Sequence, residues 1–342
     1  MGRVTIKDVA NDAGVSITTA SFAINNRTGR ISEAAKEKVL ASAEKLGYVP
    51  NINARNLRTN NSNTYMLVYD EGYLLERNAS TLQFVAGAVK YSARREKDLL
   101  LRTIPRITNG VQAAEDFMRI WNAKHVDGVI FQIGEENRKE TYKFYEYLSD
   151  KKINFVVISP NGKLDDFPSV YIDDHQLMEE AIAYIYSKGY RYVYHLTRKT
   201  ELKFEKEIGF LNAVQMLRLQ GECVYYNSEV RNEEDIWNAV KDTVMNREGR
   251  IAFACWNDVD AICLLKALHK HNISVPGEVG VMGFDDIPAS EYTTPPLTTV
   301  RQPFEEMAFK AIEVLSSYTS VGTYNKMLGV RMRGNLIIRE SV

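Results

Sequence analysis

Gly14 falls between two helix-starting signals, and that arrangement constrains residues 4–58 more tightly than anything else in the chain. Thr5 opens the first helix: its hydroxyl can accept from exposed backbone N–H groups, and Asp8 holds the reciprocal capping-box position. Val9, Ala10 and Ala13 supply a small apolar face, Gly14 permits a sharp turn, and Ser16 caps a second helix. Ser32 caps a third, carrying Val39, Leu40 and Ala43 and ended by Gly47. Two short helices joined by a tight glycine turn describe a helix-turn-helix, whose second helix enters the major groove of DNA with its first residues toward base edges. Here those residues are Ile17, Thr18, Ser21 and Phe22, with Ala20 and Ile24 facing inward.

Charge supports a nucleic-acid role for this end. Residues 1–63 hold nine Lys/Arg against five Asp/Glu, or +4, and the remainder holds 34 against 39, or −5. Phosphates attract a basic head, while a slightly acidic body stays off the duplex. With 342 residues, 45% of them hydrophobic and 25% charged, the chain suits a small head plus larger globular units. No apolar run approaches the roughly 20 residues of a membrane helix, and the start has no secretory apolar core. The expected compartment is the cytoplasm, with no membrane partner. Cys223, Cys255 and Cys263 have no metal-ligand spacing and read as reduced apolar fillers. His269 and His271 suit the C-terminal end of a helix better than a metal. No cofactor or metal is expected.

The ordered set Thr5-Ile6-Lys7-Asp8-Val9-Ala10, Ala13-Gly14-Val15-Ser16, Thr19, Ser21, Asn25, Leu46-Gly47-Tyr48-Val49-Pro50-Asn51 and Ala54-Arg55-Asn56-Leu57 resembles the lac repressor (LacI/GalR) family. The resemblance implies DNA contacts from Thr5, Ser16, Ile17, Thr18, Thr19, Ser21, Phe22 and Asn25. It also implies a hinge over 49–63 that folds against DNA and against its twin from a second subunit. There Asn51, Ala54, Arg55 and Arg58 hold the duplex, and Leu57 pries into a central base step from the minor groove. Two residues depart from the family pattern: Phe22 stands where Arg is usual, and Ala20 where a larger aliphatic residue is common. Phe22 suits a thymine methyl better than a guanine edge.

Beyond residue 63, β-rich runs at 64–69, 98–103, 127–133, 153–159, 190–196, 222–226, 250–255 and 279–283 alternate with amphipathic stretches. Leu177, Met178, Ala181, Ile182 and Ile185 lie on one helical face closed by Gly189, as do Met307, Ala308, Ala311, Ile312 and Leu315. The alternation predicts α/β architecture: two doubly wound parallel-sheet lobes behind an all-α head. Asp127-Gly128-Val129-Ile130, Asn257-Asp258, Gly283-Phe284-Asp285-Asp286 and Thr294-Pro295-Pro296-Leu297 continue the family resemblance, which implies a periplasmic-binding-protein-like body with three crossovers. These are expected near 159–163, 291–294 and 324–329. The expected organisation is a head at 1–48, a hinge at 49–63, a first lobe at 64–162 with 292–326, and a second at 163–291 with 327–342.

Ligands of such sheets sit beyond the carboxyl ends of the strands. That geometry selects Asp70, Tyr73, Gln132, Trp256, Asn257 and Asp285, a set of carboxylates, amides and aromatics suited to a polyhydroxylated ligand. Lys206 stands where the family usually has an effector-binding Arg, so a point charge replaces a planar fork. Asp258, Asp286 and the pair Asp173-Asp174 read as helix or turn caps, and Trp237 as helix packing. Ser80-Thr81 and Ser159-Pro160-Asn161 depart from the aromatic and Asp positions of sugar-binding relatives. The expectation is a homodimeric, ligand-responsive transcription regulator, a repressor of a palindromic operator, with a sugar or sugar phosphate as effector. A purine or a phosphorylated protein partner are alternatives, as is a non-catalytic sugar receptor. An enzyme is not expected: the glycines at 277, 280 and 283 have the wrong spacing for a dinucleotide site, and no nucleophile elbow is present.

Overall fold

The computed structural model describes residues 4–25, 31–49, 62–71, 79–124, 126–133, 137–159, 164, 166–199, 204–226, 232–321 and 329–342. The chain divides into two compact units, Met1–Ser62 and Asn63–Val342.

The first unit is a three-helix head: α1 (Ile6–Asp12), α2 (Ile17–Ile24) and α3 (Glu33–Leu46). Its core is Val9, Ala10, Ala20, Ala23 and Val39, closed by Ile6, Val15, Ile24, Leu46 and Tyr48. Gly14 (φ +66°) and Gly47 (φ +64°) take the left-handed conformations that the turn and the helix end require. Leu40 is not in this core; it is 45% exposed. The inward row of α3 runs Val39, Ser42, Ala43, Leu46, one residue every three or four, which leaves Leu40 about a quarter-turn off that row. Buried Ser42 fills the place by donating to Val9 O (3.3 Å) and Asp12 Oδ2 (2.8 Å).

The second unit is built on two parallel sheets. The first has the order β11-β5-β4-β3-β1-β2: β1 (Thr64–Asp70), β2 (Asp98–Ile104), β3 (Gly128–Gln132), β4 (Phe155–Ser159), β5 (Ser169–Ile172) and β11 (Gly329–Met332). Helices α4 (Ala79–Arg94), α5 (Gly110–Lys124), α6 (Arg138–Asp150) and α11 (Phe304–Val321) accompany it. The second sheet has the order β7-β6-β8-β9: β6 (Tyr192–Arg198), β7 (Cys223–Tyr226), β8 (Ile251–Cys255) and β9 (Val279–Met282). With it go α7 (Asp174–Ser187), α8 (Glu205–Met216), α9 (Glu233–Met245) and α10 (Asp258–Lys270). β10 (Thr299–Arg301) and β12 (Asn335–Ile337) form an antiparallel pair. The apolar rows expected on α7 and α11 are fully inward, and β1, β3, β4 and β8 are almost continuously buried, as strands covered on both faces are.

The lobe boundaries differ from those expected, each lying further along the chain. β5 hydrogen-bonds to β4, so the first lobe runs to Ile172 instead of ending at 162. Residues 298–301 still bond to the second sheet's edge, through Gly283 N–H to Thr298 O (2.9 Å) and Asp285 N–H to Val300 O (2.8 Å). The chain therefore returns to the first lobe at 302–303, not at 291–294. β11 pairs with β5, so the last passage falls at 333–334, between β11 and β12. Each displacement has one cause: a strand of three or four residues near a crossing carries too little periodicity to be seen in sequence. The last residues then run beside β9, with Val281 N–H donating to Ser341 O (2.8 Å) and Ser341 Oγ to Val281 O (2.5 Å).

Candidate functional site

In the head, the Thr5 cap forms as expected. Thr5 N–H and Oγ1–H donate to Asp8 Oδ2 at 2.8 and 2.7 Å, and Asp8 N–H returns a bond of 3.4 Å. Those bonds hold the exposed Asp8 carboxyl below its ordinary range. Ser16 accepts from Thr19 N–H at 3.0 Å and lies 2.8 Å from its hydroxyl, fixing the start of α2. Beyond it Ile17 (49% exposed) and Thr18 stand in solvent, and Phe22 is half-buried. Ser21, expected at the base edges, is instead 8% exposed: it borders the inward Ala20–Ala23 row, and Asn25 Nδ2 donates to its carbonyl (2.6 Å). Asn51, Ala54, Arg55, Leu57 and Arg58 lie outside the described residues, as does Tyr73 of the cleft.

In the body, the carboxyl ends of both sheets gather buried polar side chains. Asp70 ends β1, Gln132 ends β3, and both are buried. Lys206, at the start of α8, is buried too; its ammonium donates to Trp256 O (3.1 Å), lies 3.8 Å from Asp174 Oδ2, and sits 3.8 Å from the Phe284 ring centroid and 4.7 Å from that of Trp256. A desolvated cation between two rings is favourable by roughly 2 kcal/mol. Burial pushes the Asp174 carboxyl up to about 6, against the pull of Lys206. Asp285 accepts from Gln302 Nε2 (3.0 Å) and, with Asp286, adopts positive φ (108° and 52°). Such backbone strain in non-glycine residues collects at functional sites.

The bland roles sort differently from expectation. Asn257, one of the expected effector residues, also caps α10 by accepting from Asp260 N–H (2.9 Å). Asp258 is no cap: it is fully buried and accepts from Ile287 N–H (2.8 Å), Ser290 Oγ (2.6 Å) and Thr299 Oγ1 (2.5 Å). Burial pushes its carboxyl up to about 6. Asp286 is not a cap either; it joins Arg301 (2.6 Å) and Arg339 (2.8 Å). Asp173 does cap α7, accepting from Gln176 N–H at 3.0 Å. Trp256 is half-buried beside Phe204 (5.1 Å), and Trp237 stacks on His271 at 3.8 Å. Asp174, His195 and Gln302 were not expected in this region; Asp174 follows β5 and Gln302 follows β10, two strands too short to recognise in sequence.

Residues 5–51 match the description "Bacterial regulatory proteins, lacI family", and residues 182–342 match a periplasmic binding protein-like domain. The chain is 28% identical, over 99% of its length and 98% of the relative's, to the HTH-type transcriptional repressor PurR of Vibrio parahaemolyticus serotype O3:K6. Among solved structures it is similar to a lac repressor dimer bound to operator and the anti-inducer ONPF (TM-score 0.82, 19% identity, 99% of each chain). It is also similar to a transcriptional regulator CelR–cellobiose complex (TM-score 0.68, 21% identity, 99% of this chain and 100% of that one).

Proposed function

From the lacI-family match over residues 5–51 and the full-length likeness to PurR, we propose that this chain is a regulator of that family and represses transcription as a homodimer on a palindromic operator, controlled by a small effector in the cleft of its body. The observation that carries the reading is the start of α2: a capped helix presenting Ile17 and Thr18 to solvent just after the left-handed Gly14. Two such helices on a dimer reach half-sites about one helical turn apart. The segment 49–63 then supplies Leu57 as a wedge and Arg55 and Arg58 as phosphate clamps. Leu82 and Val89 on α4 and Leu101 on the edge strand β2 are exposed apolar groups that a second copy would cover.

The effector is a carbohydrate, held by Asp70, Gln132, Lys206, Trp256, Asn257, Asp285 and Tyr73. The CelR–cellobiose neighbour supports this, as do buried carboxylates and amides around an aromatic platform. Binding shifts the balance between lobe arrangements, and the hinge transmits that balance to DNA. As a regulator that binds DNA, the protein works in the cytoplasm beside its operator; no helix among the described residues is long and apolar enough to cross a membrane. Mobility shift of the purified chain on a pool of inverted-repeat duplexes tests the reading. Selection of one repeat over random DNA at moderate salt is expected; equal affinity for all duplexes overturns it.

A further inference from the structure

Buried polar atoms near the carboxyl ends of the strands that have no hydrogen-bond partner among the described residues include Asp174 Oδ1, His195 Nε2, Gln132 Oε1 and Gln302 Oε1, with the hydroxyls of Tyr69 and Thr81 beside the end of β1. The first four are acceptors. For His195 this follows from its other nitrogen, which lies 2.8 Å from the Ala254 carbonyl. A carbonyl only accepts, so Nδ1 carries the proton and Nε2 offers a lone pair. Burial pushes the ring down to about 4, which keeps it neutral. Asp174 and His195 are 2% and 0% exposed. Both flank the Lys206–Trp256 pair, with the His195 ring 6.4 Å from that of Trp256. Lys206 itself is already engaged by Trp256 O and Asp174 Oδ2.

Resting on the effector-cleft reading above, we propose that Asp174 and His195 form a recess of the cleft that takes hydrogen-bond donors, so that the effector is an uncharged or aminated polyol and not a sugar phosphate or sugar acid. Buried acceptors left without donors are costly, and a hydroxyl or ammonium group satisfies them. A phosphate or carboxylate offers further acceptors. It would face Asp174 and the His195 lone pair, where the charge of the nearest cation, Lys206, is already offset by Asp174 at 3.8 Å.

The full-length protein is screened by thermal shift against matched sets: glucose, glucosamine, glucose 6-phosphate and glucuronate; ribose and ribose 5-phosphate; cellobiose and cellobionate. At least one neutral or aminated member is expected to stabilise the protein while its acidic counterpart does not. Asp174→Asn and His195→Phe should each weaken that ligand's binding at least about tenfold, with native circular dichroism retained in at least one of them. Three results overturn the proposal: an acidic member binding as tightly as its neutral counterpart, no neutral or aminated member producing a shift, or full affinity in a folded recess variant. Asp285→Ala separates the two readings. Binding lost there but kept in both recess variants removes the recess and leaves the cleft, whereas binding kept in all three removes the cleft as well.

Discussion

Replacing Asp258 with alanine tests how the floor of the second lobe is held. The carboxylate is the acceptor for a backbone N–H and two hydroxyls from three separate places, Ile287, Ser290 and Thr299, all within 2.8 Å. Alanine leaves three buried donors unmet. At about 1–1.5 kcal/mol each, together with the void, the loss should reach roughly 3–5 kcal/mol. Urea denaturation of the full chain measures it, and a loss below about 1 kcal/mol would refute the reasoning. Asp258→Asn adds a check on charge. Burial raises the folded-state value to about 6 from an ordinary 3.8, so the native protein binds the extra proton between those limits. This group's contribution is therefore most favourable below about pH 4 and is lost as pH rises through 6. The shift of about two units corresponds to roughly 3 kcal/mol. Wild type should thus gain about 2–3 kcal/mol on the Asn variant between pH 7.5 and pH 4. A difference that stays constant across that range would show the carboxyl is not penalised by its surroundings.

Three further outcomes are expected. Leu57→Ala should weaken specific operator binding while leaving effector affinity unchanged, measured by mobility shift and calorimetry; equal operator affinity would remove the wedge. Asp285→Ala should abolish the effector response in a reporter assay while repression persists, and a normal response would place it outside the cleft. Gly14→Ala meets no neighbour within 4 Å but keeps φ at +66°. Its cost is backbone strain alone, about 1 kcal/mol, read as roughly fivefold faster hydrogen exchange of the head amides.

Much of this architecture is legible in the residues because long buried strands and capped helices announce themselves locally. All eight runs read as strands are strands, and the rows led by Leu177 and Met307 are buried faces. What escapes is what depends on distant partners. β11 pairs with β5 some 160 positions earlier, and neither of these four-residue strands has a pattern of its own. With β5 unseen, Asp174 could not be placed at a strand's carboxyl end, and it read as a cap. Ser42 and Ser21 are buried for a similar reason: each hydroxyl-bearing residue is small enough to sit against a neighbouring helix or side chain, which composition alone does not reveal.

The stretch running alongside β9 at residues 338–342 works as a fastening. Arg339 reaches Asp286 and Leu297 O, and Ser341 bonds to both Val281 and Thr298, stitching β9 and the turn after it to the segment just before a lobe crossing. Trimming those five residues would unpick more than a loop deletion of equal length. An affinity tag fused there should be joined through a flexible spacer, because traction on that seam is transmitted to the turn bearing Asp285.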